Sequence, residues 1–321
     1  MKKFVLAFIL FIIFIFVLAI LIGREDDNAY YENTEDDVYI EQFVENTSSA
    51  SETEEDQVSL QKRQNHDTVD DLTLPSSSKS GHAEQIIQRV AYTVSYNNTT
   101  KCPNWVSWCL TAEHTDGPYS RKGVPYCDED RHTAYGIGAI DNNNNKGDYF
   151  LDTDFAGPRQ EFSDWRDKTY NVNHGHICPA GDNKWSKEAM NQSFYLSNMC
   201  PQDIDLNGGD WENLEKKCRR WAKKYGAIYI VAGPVFYNDT YRTMGDGKVG
   251  IPDAFFKVIL CLNQGQKAIG FLFPNKGDSH ELIHYIKTVD EIEEITGYDF
   301  FSSLPNDVEN VLESTCDWGE W

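Results

Sequence analysis

The sequence predicts a mixed α+β domain around a mainly antiparallel sheet. Two observations carry this reading. Five short runs, at 90–96, 105–111, 228–232, 254–262 and 268–273, have the length and the β-branched or aromatic content of strands. Few helical patterns interrupt them. The clearest is 211–225, where Trp211, Leu214, Cys218 and Trp221 recur at helical spacing among charged residues. Strands punctuated by few helices favour α+β over an alternating βαβ order.

Taken in order, the chain of 321 residues divides into three parts. Residues 1–23 begin with Lys2-Lys3, followed by an uninterrupted apolar run from Phe4 to Ile22. That run approaches the ~20 residues a helix needs to span hydrocarbon. It is longer than the usual core of a cleaved signal, and no Ala-x-Ala-like site precedes Gly23-Arg24. An uncleaved transmembrane signal anchor is therefore expected ahead of a cleaved signal peptide. Basic residues before the run and acidic ones after it place the following chain outside, extracytoplasmic and membrane-anchored. Residues 24–85 hold 17 acidic and 4 basic residues with few apolar ones, which predicts an acidic disordered linker. Residues 86–321 form the folded domain. Within it, 115–150 reads as loop, with a plain turn at 142–147. Thr288-Val289-Asp290-Glu291 reads as a helix start with acids in its first turn, and a second helix follows near 305–313.

The formal net charge is −22, and the domain keeps its acidic balance without the linker. Phosphate attraction normally comes from clustered Lys and Arg. A nucleic-acid partner therefore requires a metal and a few local arginines to dominate the cleft. The eight cysteines (102, 109, 127, 178, 200, 218, 261 and 316) include no Cys-x-x-Cys pair, which excludes a zinc ribbon. Disulfides and buried thiols both stay open, since pairing cannot be read from spacing.

The richest chemistry lies in Asn173-His174-Gly175-His176-Ile177-Cys178-Pro179-Ala180-Gly181-Asp182. It is followed by Phe194-Tyr195-Leu196-Ser197-Asn198-Met199, and then by Asp205-Leu206-Asn207-Gly208-Gly209-Asp210-Trp211-Glu212-Asn213-Leu214-Glu215. Imidazole can accept a proton near neutral pH, and amide and carboxylate oxygens suit a hard divalent cation. A general base beside an oxygen-held metal is what metal-assisted phosphodiester hydrolysis requires.

These segments, with Lys101-Cys102-Pro103-Asn104-Trp105-Val106, Ile230-Val231-Ala232-Gly233-Pro234-Val235-Phe236 and Ile251-Pro252-Asp253-Ala254-Phe255-Phe256-Lys257, resemble the DNA/RNA non-specific endonuclease family of the Serratia-nuclease type. The resemblance runs from about Tyr92 to Leu312. It implies a ββα-metal finger, a Mg²⁺ ion (Mn²⁺ as an alternative), and DNA and RNA substrates read through phosphate. By the same resemblance His176 is the general base, Asn207 ligates the metal directly, and Glu215 holds metal-bound water. Asn198 matches the active-site asparagine, and Arg219 falls where the family has an arginine. Arg159 is a further candidate for positioning phosphate; either arginine also fits a surface ion pair.

Two positions depart from the family's Asp-Arg-Gly-His: Asn173 stands for Asp and His174 for Arg. The first removes a charge that could raise the basicity of its neighbours. The second replaces a permanent forked cation by a pH-dependent one. A protonated His174 beside phosphate and a neutral His176 pull the optimum in opposite directions, so a bell-shaped or acid-shifted profile is expected. The departures also leave open a catalytically weak or inactive nucleic-acid-binding protein. A rival chemistry uses the same letters. On a strand, His174, His176 and Cys178 share one face and could hold zinc with Cys200, or Cys178 could act as a nucleophile.

Overall fold

The computed structural model describes residues 74–77, 84–121, 149 and 151–321, all within a compact unit that spans Gln57–Trp321. The apolar run 4–22, the acidic stretch as far as residue 73, the turn at 142–147 and Cys127 lie outside them.

In chain order the first strands are β1 (Ser76–Ser77), β2 (Gln85–Gln88), β3 (Thr93–Asn97) and β4 (Cys102–Thr111). The middle of the chain gives β5 (Val172–His176), helix α1 (Lys187–Gln192), β6 (Met199–Asp203) and helix α2 (Glu212–Tyr225). Next come β7 (Ala227–Val235), β8 (Arg242–Met244), β9 (Val249–Ile251), β10 (Ala254–Cys261) and β11 (Lys267–Pro274). The chain ends with β12 (Ile286–Lys287), helix α3 (Val289–Thr296), β13 (Tyr298–Asp299) and helix α4 (Asn306–Glu313).

Seven strands form one sheet in the order β12-β11-β10-β7-β4-β3-β2, and every pairing in it is antiparallel. Both faces of its centre are covered, which explains why β7 and β10 read as continuous apolar runs rather than alternating ones. All eight residues of β10 are buried. Phe255 points into the core shared with Trp211, Leu214, Cys218 and Trp221 of the α2 region. Phe256, next along the strand, points into the opposite core with Val289 and Ile292 of α3 and Leu312 of α4. Burying a phenylalanine on each face contributes about 1.5–3 kcal/mol apiece.

The expected α+β architecture is thus observed, with α2 on one face and α3 and α4 on the other. Helix 211–225 is found at Glu212–Tyr225 and ends at Gly226, whose φ of 85° suits glycine. The expected start at Thr288 is a capping box: Glu291 N donates to Thr288 Oγ1 at 3.1 Å, and Thr288 N donates to Glu291 Oε2 at 2.8 Å. One boundary shifts. Residues 74–77, assigned by composition to the linker, supply β1, which pairs with β13, and Leu74 packs against the second core. A two-residue strand has too few positions to show a period.

Candidate active site

The motif at 173–182 enters as a strand that ends on its histidine. β5 and β6 pair antiparallel from Val172↔Asp203 to His176↔Met199. From β6 the chain passes through one helical turn, Ile204–Leu206, and a wider turn, Asn207–Trp211, directly into α2. Two strands and a helix therefore converge on one place. Gly175 lets the strands approach: a Cβ there would lie 2.5 Å from both Cβ and Oε1 of Gln202 across the pair.

His176 is buried, edge-on to Phe194 with ring centroids 5.0 Å apart. Its carbonyl accepts from Trp211 Nε1 at 3.3 Å, which ties the strand end to the start of α2. The Nε2 atom is shut off from solvent without a hydrogen-bond partner among the described residues. Burial, then the charges of Arg121 and His174, hold the imidazole pKa well below 6.5. His176 is therefore neutral, the form that accepts a proton.

His174 is not the pH-dependent cation that the sequence suggested. Its ring is stacked between Trp165 (centroids 3.7 Å apart, 19° between planes) and Tyr149 (3.9 Å, 13°). Burial, with Lys168 and Arg121 nearby, pushes its pKa down to about 3. The unfolded chain binds this proton near pH 6.5 and the folded one only near 3, so stability is lost as pH falls through that window. A group that differs fully between the two states contributes a slope of about 1.4 kcal/mol per pH unit. His174→Phe, which can keep the stack, should flatten the acid loss of stability in urea unfolding between pH 4 and 6. An unchanged slope would mean that His174 stays solvated.

Asn198 is a clamp rather than a contact for substrate. Its Oδ1 accepts from Cys178 N at 2.9 Å, and its Nδ2 donates to Cys178 O and Ser193 O, both at 2.8 Å. With no exposed surface and both ends of the amide engaged, it positions the backbone just past His176. Removing three buried hydrogen bonds in Asn198→Ala should cost about 2–4 kcal/mol. Urea unfolding measures this; a loss below about 1 kcal/mol would contradict the clamp.

Asn207 lies in the wide turn, its Nδ2 donating to Asn173 Oδ1 at 2.6 Å. Asn173 thus occupies the orienting position, as a neutral group. The turn is pinned on several sides. Asp203 Oδ1 accepts from the backbone of Asp205 and Leu206, and Asp210 Oδ2 accepts from Tyr285 OH at 2.7 Å and His280 N at 3.0 Å. Over Gly208 and Gly209 there is open space, where an added Cβ would meet nothing within 4 Å.

Glu215 belongs to a charged cluster behind this turn. Arg219 Nη1 donates to Asp182 Oδ1 at 2.8 Å and lies 3.8 Å from Glu215 Oε2. Asp182, itself buried, also accepts from Trp108 Nε1 at 3.2 Å. Lys257 is fully buried on β10, its Nζ 4.2 Å from the centre of the Trp211 ring. Burial pushes the Glu215 pKa up to about 7 against the opposing pull of Lys257 and Arg219.

Among the described residues Arg159 makes no contact with this group; it pairs with Glu161 at 3.5 Å. The cation that acts on both histidines is instead Arg121, which lies over the Phe194 ring and 3.3 Å from Tyr149 OH. The zinc reading also fails. Among the described residues the atoms of His174, His176, Cys178 and Cys200 do not gather within reach of one ion. Cys178 is a buried thiol whose pKa is raised by burial and by Asp182, unlike a nucleophilic thiolate. Among the described residues, Cys102, Cys178, Cys200, Cys218, Cys261 and Cys316 are free thiols.

The chain is similar to known proteins in sequence and in fold. A family model of DNA/RNA non-specific endonucleases matches residues 72–307. The chain is 31% identical to the mitochondrial nuclease EXOG of Xenopus laevis, over 72% of its own length and 61% of that protein's. It thus spans about three fifths of that relative. It is 32% identical to the nuclease of Serratia marcescens, over 73% of this chain and 81% of that one. In fold it is similar to a chain of the EndoG/EndoGI complex, with a TM-score of 0.59 at 22% identity, covering 74% of this chain and 92% of that one. With residues 72–307 matched by the family model, the greater part of its length, the chain belongs to the DNA/RNA non-specific endonuclease family.

Proposed function

We propose that the chain is a metal-dependent endonuclease that hydrolyses phosphodiester bonds of DNA and RNA with little sequence specificity. The observation that carries the reading is the pairing of a neutral, buried His176 at the end of β5 with an Asn207 side chain oriented by Asn173 at the mouth of α2.

The donor set fits a hard cation. Asn207 Oδ1 has no protein partner among the described residues, and the space over the two glycines is open. Mg²⁺, or Mn²⁺ in its place, would be held by Asn207 directly and by Glu215 through water. Such an ion supplies charge stabilisation to the phosphate and the leaving oxygen. His176 takes the proton from the attacking water; with Nε2 closed off, Nδ1 is the nitrogen for this work. Arg121, whose charge acts on both histidines, serves the scissile phosphate. Arg219 is held by Asp182 and keeps the Glu215 carboxylate in place. These few local cations answer the acidic charge of the domain. The absence of a recognisable base-reading module agrees with recognition through phosphate.

The purified protein should nick supercoiled plasmid and degrade single-stranded RNA in Mg²⁺ but not in EDTA. Binding of both nucleic acids without cleavage in Mg²⁺ would contradict the reading and leave an inactive binding protein. The apolar run 4–22 supports export, with the run retained as an anchor and the domain outside the cytoplasm. Intact mass of the mature protein should then include residue 1; a start near residue 24 would replace the anchor by secretion.

A further inference from the structure

Away from the His176 site, α3 and α4 bring acidic side chains together. Asp290 and Glu293 are three residues apart on α3 and so share one face of the helix. The last residue of α4, Glu313, meets that face. One carboxylate oxygen from each of Asp290, Glu293 and Glu313 lies within 4.8 Å of the others. Opposite ligands of a calcium ion, each at about 2.4 Å, are separated by about that distance.

Acidic residues at a surface often gather without consequence, but Glu313 is not at the surface. It is 5% exposed, and its Oε1 has no hydrogen-bond partner among the described residues. The charges acting most strongly on it are all carboxylates: Glu293, Glu309, Asp290 and Asp299. The neighbouring Lys287 is taken by Glu291, at 2.8 Å. A buried, unpaired carboxylate aimed at two others is costly unless a cation or a proton neutralises it. Asp290 is exposed and Glu293 half-buried, so the group opens to solvent on one side, which gives an ion a path in and room for water ligands.

We infer that Asp290, Glu293 and Glu313 form a calcium site that joins α3 to α4. Three carboxylates with a water-filled side suit Ca²⁺, which takes 6–8 oxygens in flexible geometry. Mg²⁺ demands a tighter octahedron and keeps most of its waters. The ion would replace mutual repulsion between the two helices by a shared attraction, fastening the layer that covers the second face of the sheet. Its role is structural and separate from any ion at Asn207.

The test is thermal unfolding and calorimetric Ca²⁺ titration of the full chain after EDTA treatment. An Asn207→Ala background removes any contribution from the other site. Ca²⁺ at about 100 times its Kd should raise Tm by roughly 5 °C. The shift should disappear in Glu313→Gln and in Asp290→Asn, the latter an exposed position whose change leaves the core intact. One fewer Ca²⁺ should bind in each variant. A Tm indifferent to Ca²⁺, meaning that Glu313 is simply protonated, would overturn the inference. So would an undiminished Ca²⁺ shift in Asp290→Asn and Glu313→Gln.

Discussion

His176→Ala is expected to lower kcat/KM for plasmid cleavage by about 10²–10⁴-fold, the usual contribution of a positioned general base. The loss should hold at every pH tested. In the wild type, burial and Arg121 depress the imidazole pKa, so the base form is present above that lowered value and is lost only as pH falls through it. His174, with a pKa near 3, adds no charge in the neutral range. The bell-shaped profile expected from two opposed histidines is therefore replaced by one without a histidine limb near pH 6.5. Rates from pH 5.5 to 8 at saturating Mg²⁺ measure this. Wild-type-like rates in His176→Ala would remove it from the chemistry.

Asn207→Ala is expected to have the second large effect, a fall on the order of 10³-fold, equivalent to several kcal/mol of transition-state charge stabilisation. The fold should survive. The turn stays pinned through Asp203, Asp210 and the Trp211 indole, none of which involves the Asn207 side chain. Tm should then move by no more than about 1–2 °C, while the Mg²⁺ concentration needed for half-maximal cleavage rises. A lost activity accompanied by a collapsed Tm would instead make Asn207 a structural residue.

Much of this fold was legible in the sequence because its strands and helices carry local patterns. β7, β10 and β11 read as strands because their apolar runs are buried on both faces. Helix α2 showed itself through Trp211, Leu214, Cys218 and Trp221. Thr288 and Glu291 announced the start of α3 by capping chemistry that acts over three residues. At the site, His176, Asn207 and Glu215 stood out as one linked motif because they lie in a single stretch of chain, which β5, β6 and α2 fold as neighbours. What was not legible depends on distant partners. Nothing local to His174 says that Tyr149 and Trp165 will enclose it, and that enclosure decides its charge. Asn198 and a substrate-facing asparagine look alike until Cys178 and Ser193 take up its amide. Arg121 sits in a loop without periodicity, and Lys257 inside an apolar strand; only the folded chain places one by the histidines and the other behind Glu215.

Mn²⁺ binding and plasmid cleavage, followed together in wild type, His176→Ala and Asn207→Ala, separate the ion from the base most directly. His176→Ala should bind as many ions as wild type while losing cleavage, and Asn207→Ala should lose one bound ion together with cleavage. Full ion binding by Asn207→Ala, or cleavage by the wild type in EDTA, would contradict a nuclease that works through an ion at Asn207 and a base at His176.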